Sequence, residues 1–168
     1  MKKLIALAVI ASMSLTGCGG AIWSIPSAPI QRISFPEKEY TELKTNGNAK
    51  ITGQVFAKTR GGDVKFGAGN TVMLNPVTSY SNQWYKEVYM LRNNISEGDI
   101  RQQQYIRKTI ANGHGNFTFN NIPVGDYYLV SVITWEVAYG STMHQQGGLI
   151  VEKVSVKEND VIEVMLTP

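Results

Sequence analysis

The sequence predicts an all-β domain with one helical insertion, and three observations carry that expectation. In residues 115–129, Phe117 and Phe119 stand two apart, as do Tyr127 and Leu129; a pleated strand puts each pair on one face. Between the pairs, Ile122-Pro123-Val124-Gly125 reads as a corner, with proline and glycine at the second and fourth places of a type I turn. Helical spacing replaces alternation in one stretch, where Trp84, Tyr85, Val88, Tyr89 and Leu91 are apolar.

The elements follow in order. Ile51, Gly53, Val55 and Ala57 alternate on one face of a half-buried strand over 51–58. Arg60-Gly61-Gly62-Asp63 turns the chain, and a second strand carries Val72 and Leu74 until Pro76, which cannot donate to a ladder. A short helix is expected over 82–93, capped by Ser79 or Ser81. Residues 96–99 form a loop, and 103–111 should return as a strand. Asn112-Gly113, a dipeptide tolerant of positive φ, should then close a hairpin that places Phe117 and Phe119 opposite that strand. Residues 126–139 are long enough for a central strand with two apolar faces. A loop over 140–148 and a last hairpin, 149–156 with 161–166 across Lys157-Glu158-Asn159-Asp160, complete the chain.

The block Gly115, Phe117, Phe119, Ile122, Pro123, Gly125, Tyr127 and Leu129 resembles the signature of carboxypeptidase regulatory-like domains. Ile51-Thr52-Gly53-Gln54-Val55 and residues 68–74 resemble that family's first and second strands, so the resemblance covers 49–168. It implies a transthyretin-like (prealbumin-like) β-sandwich of about seven strands. It implies no activity, because one fold hosts many functions.

The N-terminus sets the expected address. Met1-Lys2-Lys3, a mostly apolar run over 4–15 and small residues before Cys18 read as a secretory signal peptide over 1–17. The apolar run is too short for a bilayer core of ~30 Å. Leu15-Thr16-Gly17-Cys18 resembles the bacterial lipobox, which implies that Cys18 carries acyl lipid such as palmitate and becomes the first mature residue. Gly19, in place of aspartate, favours the outer membrane by the enterobacterial sorting rule. Residues 18–48, broken by Pro26, Pro29 and Pro36, read as a flexible tether. Within it, Trp23 could meet lipid headgroups, and 36–43 could make one or two helical turns.

Composition then narrows the function. The chain has 16 basic and 13 acidic residues; without Lys2 and Lys3 the balance falls to +1, which supports no nucleic-acid partner. Cys18 is the single cysteine, so no disulfide forms within the chain and the core must hold the domain. At about 120 residues it can bury roughly two thirds of its unfolded surface.

Catalysis finds no foothold. His114 and His144 are the two histidines, neither in a zinc-binding motif, and both are expected as solvated loop residues. The alternative is a two-histidine site completed by tyrosines, as in the intradiol dioxygenases. Hydroxyisourate hydrolase, another transthyretin-like enzyme, ends in Tyr-Arg-Gly-Ser, whereas this chain ends Met165-Leu166-Thr167-Pro168. No serine lies in a Gly-x-Ser-x-Gly elbow. A Lys-Asn isopeptide bond lacks its last-strand asparagine, and the sequons at Asn94 and Asn116 read as chance matches. No catalytic residue, metal ligand or cofactor is therefore expected.

Two binding functions remain. The first is a non-catalytic, lipid-anchored interaction or structural module of the envelope, facing the periplasm and engaging an envelope protein. Its expected contact surfaces are the helix at 80–92 and the loop at 140–148. The second is carbohydrate or peptidoglycan binding, for which the candidates are Trp84, Tyr85, Tyr89, Trp135 and Tyr139, because sugar rings stack on exposed aromatic faces. The same spacing also suits core packing.

Overall fold

The computed structural model describes residues 28–168; Cys18 and Trp23 fall outside that range. Eight strands form two four-stranded sheets packed face to face. The first is built on β1 (Ala49–Lys58), whose alternating burial follows the apolar positions 51, 53, 55 and 57. One edge of β1 pairs antiparallel with β5 (Asn116–Ile122) and, beyond Val55, with β2 (Val64–Phe66). The other edge pairs in parallel with β8 (Val161–Leu166), from Lys50 opposite Val161 to Val55 opposite Leu166.

The second sheet runs β4 (Arg107–Ile110), β3 (Thr71–Pro76), β6 (Gly125–Tyr139), β7 (Thr142–Val156). Between the sheets lies one core, including Ile51, Val55, Leu74, Phe117, Phe119, Ile122, Leu129, Ile133, Ile150 and Leu166. Phe117, Phe119, Ile122 and Leu129, the residues of the predicted corner, are 4, 5, 1 and 0% exposed. The all-β sandwich with one helical insertion is thus the observed fold.

Several local expectations are corrected. The insertion is an α-helix, α2 (Ser79–Trp84), that widens into a π-helical turn, Tyr85–Met90. Its cap is Thr78: the Thr78 side chain accepts from the Ser81 amide while the Ser81 hydroxyl accepts from the Thr78 amide. The 103–111 strand shrinks to β4, because Ile100–Tyr105 coil into a 3₁₀ turn capped by the Asp99 carboxylate. The Asn112-Gly113 turn does not close a hairpin, since β4 and β5 belong to different sheets. There the Asn112 side chain accepts from the amides of His114 and Asn116, so the turn carries the chain from one layer to the other.

At the far end, the expected 140–148 loop is a tight turn at Gly140 followed directly by β7, paired with β6 from Tyr139 opposite Thr142 onward. The expected last hairpin is also absent. The Lys157–Asp160 turn closes locally, with the Lys157 amide on the Asp160 carboxylate, but β8 leaves β7 and joins β1.

Residues 28–48, expected as tether, pack on the sandwich. Ile30 bridges Ile95, and α1 (Glu37–Thr41) buries Tyr40 to 1% exposure. The Tyr40 ring stacks on Phe35 at 4.6 Å and meets Tyr105 at 4.8 Å, which gives this segment an apolar reason to dock.

Candidate functional site

Strand alternation in β6 sends Tyr127, Leu129 and Ile133 into the core and Tyr128 and Val130 to the outer face of the second sheet. Val151 of β7 and Met73 of β3 extend that outer apolar face. Bare, it would leave an apolar patch in water; the α2 insertion lies over it. Tyr85 stacks on Tyr128 with ring centroids 4.7 Å apart, and Tyr89 sits 5.4 Å from Tyr85. The Tyr128 hydroxyl donates to Asn82 Oδ1 at 2.7 Å, which fixes the helix on the sheet.

The cover is incomplete. Beside it a cleft of about 330 Å³ remains, with Trp84, Met73, Val130 and Ile106 as apolar walls and Asn75, Gln102, Gln103 and Arg32 as polar ones. The polar residues arrive from three separate parts of the chain. Asn75 stands on β3 beside Pro76, and Gln102 and Gln103 stand on the 3₁₀ turn. Gln102 Nε2 reaches Asn75 Oδ1 only at 3.5 Å, so both amides keep hydrogen-bonding capacity.

Arg32 comes from the segment ahead of α1 and is held there by backbone contacts. The Ile30 amide donates to Asn94 O at 2.8 Å, the Ser96 amide to Ile30 O at 2.9 Å, and the Arg32 amide to Ser96 Oγ at 3.0 Å. Gln83 clamps the same segment, accepting from the Ile33 amide and donating to Gln31 O, both at 2.9 Å. The Arg32 guanidinium lies 4.1 Å from the Tyr80 ring centroid, and Nη1 donates to Tyr80 O at 3.1 Å. Its Nε is buried with no hydrogen-bond partner among the described residues. Tyr80 is fixed in turn, its hydroxyl accepting from the Asp99 amide at 2.7 Å.

Arg101 sits at the rim. It holds Asp99 through paired hydrogen bonds of 3.0 and 2.8 Å, which lower the Asp99 pKa to about 2. Its guanidinium also lies over Phe35 at 4.5 Å. Asp99, next to the lining residue Gly98, is therefore already matched by its own cation.

The five aromatic candidates do not converge. Trp84 lines the cleft, whereas Tyr85 and Tyr89 are half-buried and pack onto the sheet. Trp135 points inward and packs against the main core. Tyr139 is 80% exposed at the tip of the β6–β7 hairpin, 5.9 Å from the His144 ring. His114 and His144 are both exposed, His114 in a turn and His144 within β7. Among the described residues no three His, Cys, Asp or Glu side chains gather as a metal site, and no helix is long and apolar enough to cross a membrane.

Arg32, Asn75, Gln102 and Gln103 were not legible as site residues. Asn75 carried the one available signal, a polar residue at the end of an apolar strand beside a proline, and it is 7% exposed. Arg32 lay in a stretch whose prolines read as tether.

No protein-family model matches the chain, and no curated protein does. Among solved structures, the chain is similar to a crystal structure described as that of a "putative carbohydrate binding protein" from Pseudomonas aeruginosa. The two are 28% identical with a TM-score of 0.75, over 82% of this chain and 99% of that one.

Proposed function

We propose that this chain is a lipid-anchored envelope protein whose sandwich binds carbohydrate, without turnover, in the Trp84 cleft. The observation that carries the reading is the composition of that cleft: one indole wall with three side-chain amides and a guanidinium around it. Apolar ring faces stack on indole, and amides both donate to and accept from hydroxyl groups. The description of the similar Pseudomonas protein supports the same reading. Residues 49–168 are then a carboxypeptidase regulatory-like domain used as a binding module, and Cys18 is its acylated anchor in the outer membrane, facing the periplasm.

Glycan-array screening of the detergent-solubilised full chain, followed by calorimetry, tests this. Binding should be lost in Trp84→Ala and weakened at least about tenfold in Gln103→Ala, an exposed lip residue whose loss leaves the packing intact. A folded wild-type chain that binds no glycan or peptidoglycan fragment would refute it. The anchor is read separately: Cys18→Ser should move the protein from the membrane to the soluble fraction, and retention there would contradict the assignment.

A second reading, as a protein-interaction module, has its own observation. Beyond the sandwich the β6–β7 hairpin exposes Val137, Tyr139 and Met143, at 44, 80 and 59%. Crosslinking from Tyr139 in intact cells to one reproducible envelope protein, with no glycan signal in the array, would favour it.

A further inference from the structure

We infer that the sugar held by the cleft is acidic, its carboxylate seated on the guanidinium of Arg32. This rests on the carbohydrate reading above and adds the ligand's charge. Among the described residues, Arg32 is the one charged residue of the cleft's walls, and no carboxylate lines it. The acids nearby do not compensate it. Asp99 is spent on Arg101, at 2.8 Å, and Glu37 lies 3.6 Å from the same Arg101. Glu97, between the lining residues Ser96 and Gly98, is exposed and forms no ion pair among the described residues.

The guanidinium is also only partly used. Of its three nitrogens, Nη1 donates to Tyr80 O, Nε is buried without a partner, and Nη2 makes no hydrogen bond among the described residues. A half-buried cation, always charged and lacking an anion, has given up part of its hydration for one hydrogen bond and one ring contact. Its setting over Tyr80 and its bond to the Tyr80 carbonyl fix it in place, so a ligand need not order it. A carboxylate beside Nη2 would form a charge-assisted hydrogen bond, roughly twice as strong as a neutral one. A neutral sugar would occupy the same walls and leave the charge uncompensated.

The experiment compares matched ligands on the detergent-solubilised full chain by calorimetry: oligogalacturonate and oligoglucuronate, each against its carboxyl-reduced form. The acidic member should bind at least about tenfold more tightly, with a preference that shrinks as salt rises. Arg32→Gln should bind both members alike, at the affinity wild type shows for the reduced form, and Arg32→Lys should keep part of the preference. Equal binding of both members by the wild-type chain overturns the inference while leaving the carbohydrate reading intact. So does a preference that survives Arg32→Gln. Failure to bind any saccharide removes both. If Arg32→Gln does not fold, the wild-type comparison still tests the ligand's charge, and Arg32→Lys tests the seat: a preference unchanged in Arg32→Lys would overturn the assignment to Arg32.

Discussion

The hydroxyl of Thr78 joins two parts of the molecule that meet nowhere in the sequence, and removing it gives a sharp test of how the cleft is held. Thr78 is 5% exposed; its Oγ1 accepts from the Ser81 amide at 3.2 Å and contacts the Tyr40 hydroxyl at 3.1 Å. Thr78→Val keeps the shape and deletes both interactions. Loss of a helix cap costs about 1 kcal/mol, and loss of one buried hydrogen bond adds about 1 kcal/mol. Tyr40 keeps its ring contacts with Phe35 and Tyr105, so its packing survives the change and the total stays near 2 kcal/mol. For a domain of this size that corresponds to roughly 4–8 °C in Tm. Urea unfolding followed by circular dichroism measures it directly. A double-mutant cycle with Tyr40→Phe should return a coupling of about 0.5–1.5 kcal/mol, because the two side chains share one bond. A Thr78→Val protein within about 0.5 kcal/mol of the parent, with no coupling to Tyr40, would refute the claim that this hydroxyl ties the N-terminal segment to the insertion.

Two further outcomes follow from packing and from burial. Gly53→Ala should destabilise the protein by about 2 kcal/mol or more, since its Cβ would lie 2.1 Å from Val164 O and 2.6 Å from Phe117 Cζ. Hydrogen exchange should then quicken first along β8, and unchanged β8 protection would count against it. Alkaline pH should also destabilise the fold. Burial raises the pKa of Tyr40, Tyr127 and Tyr128 above 10.0, so the unfolded chain releases these protons first. Stability is then fully present below pH 10 and lost as pH rises through the folded values. Tyr128→Phe should flatten the decline measured in buffered urea melts; an identical slope would show that the ring's burial does not set it.

What the sequence disclosed was local, and what it hid was pairing between distant segments. Phe117, Phe119, Ile122 and Leu129 could be read because two-residue alternation says which face is buried whatever lies opposite. The insertion could be read because Trp84, Val88 and Leu91 break that alternation. The Lys157–Asp160 turn looked like a hairpin because it has hairpin chemistry; the parallel ladder that begins where the Lys50 amide donates to Asp160 O at 2.8 Å shows that the strand beyond it belongs with β1. Gly147 looked like loop for a similar reason. It sits within β7 at φ 93°, and a Cβ there would lie 2.1 Å from Ile133 O, so the glycine answers a neighbour on another strand.

The same reasoning explains why no motif announced the cleft. β6 is apolar on both faces, and one face meets the opposing sheet. The other needs a cover that a plain sandwich does not supply. Here the cover is assembled from the 79–90 helix, the 3₁₀ turn and the segment ahead of α1, three pieces up to about seventy residues apart in a chain whose local signals fade within a few residues. Where their edges fail to meet, Met73 and Val130 remain as a floor, and the residues lining the gap are those that could remain partly hydrated: Asn75, Gln102, Gln103 and Arg32. An apolar floor with a polar lip is thus what incomplete covering of a two-faced strand produces, and its polar groups keep bonding capacity that a solute can complete. Trp84 belongs to both arrangements, packed against the outer face and lining the gap, so the choice between packing and binding at that residue is not exclusive.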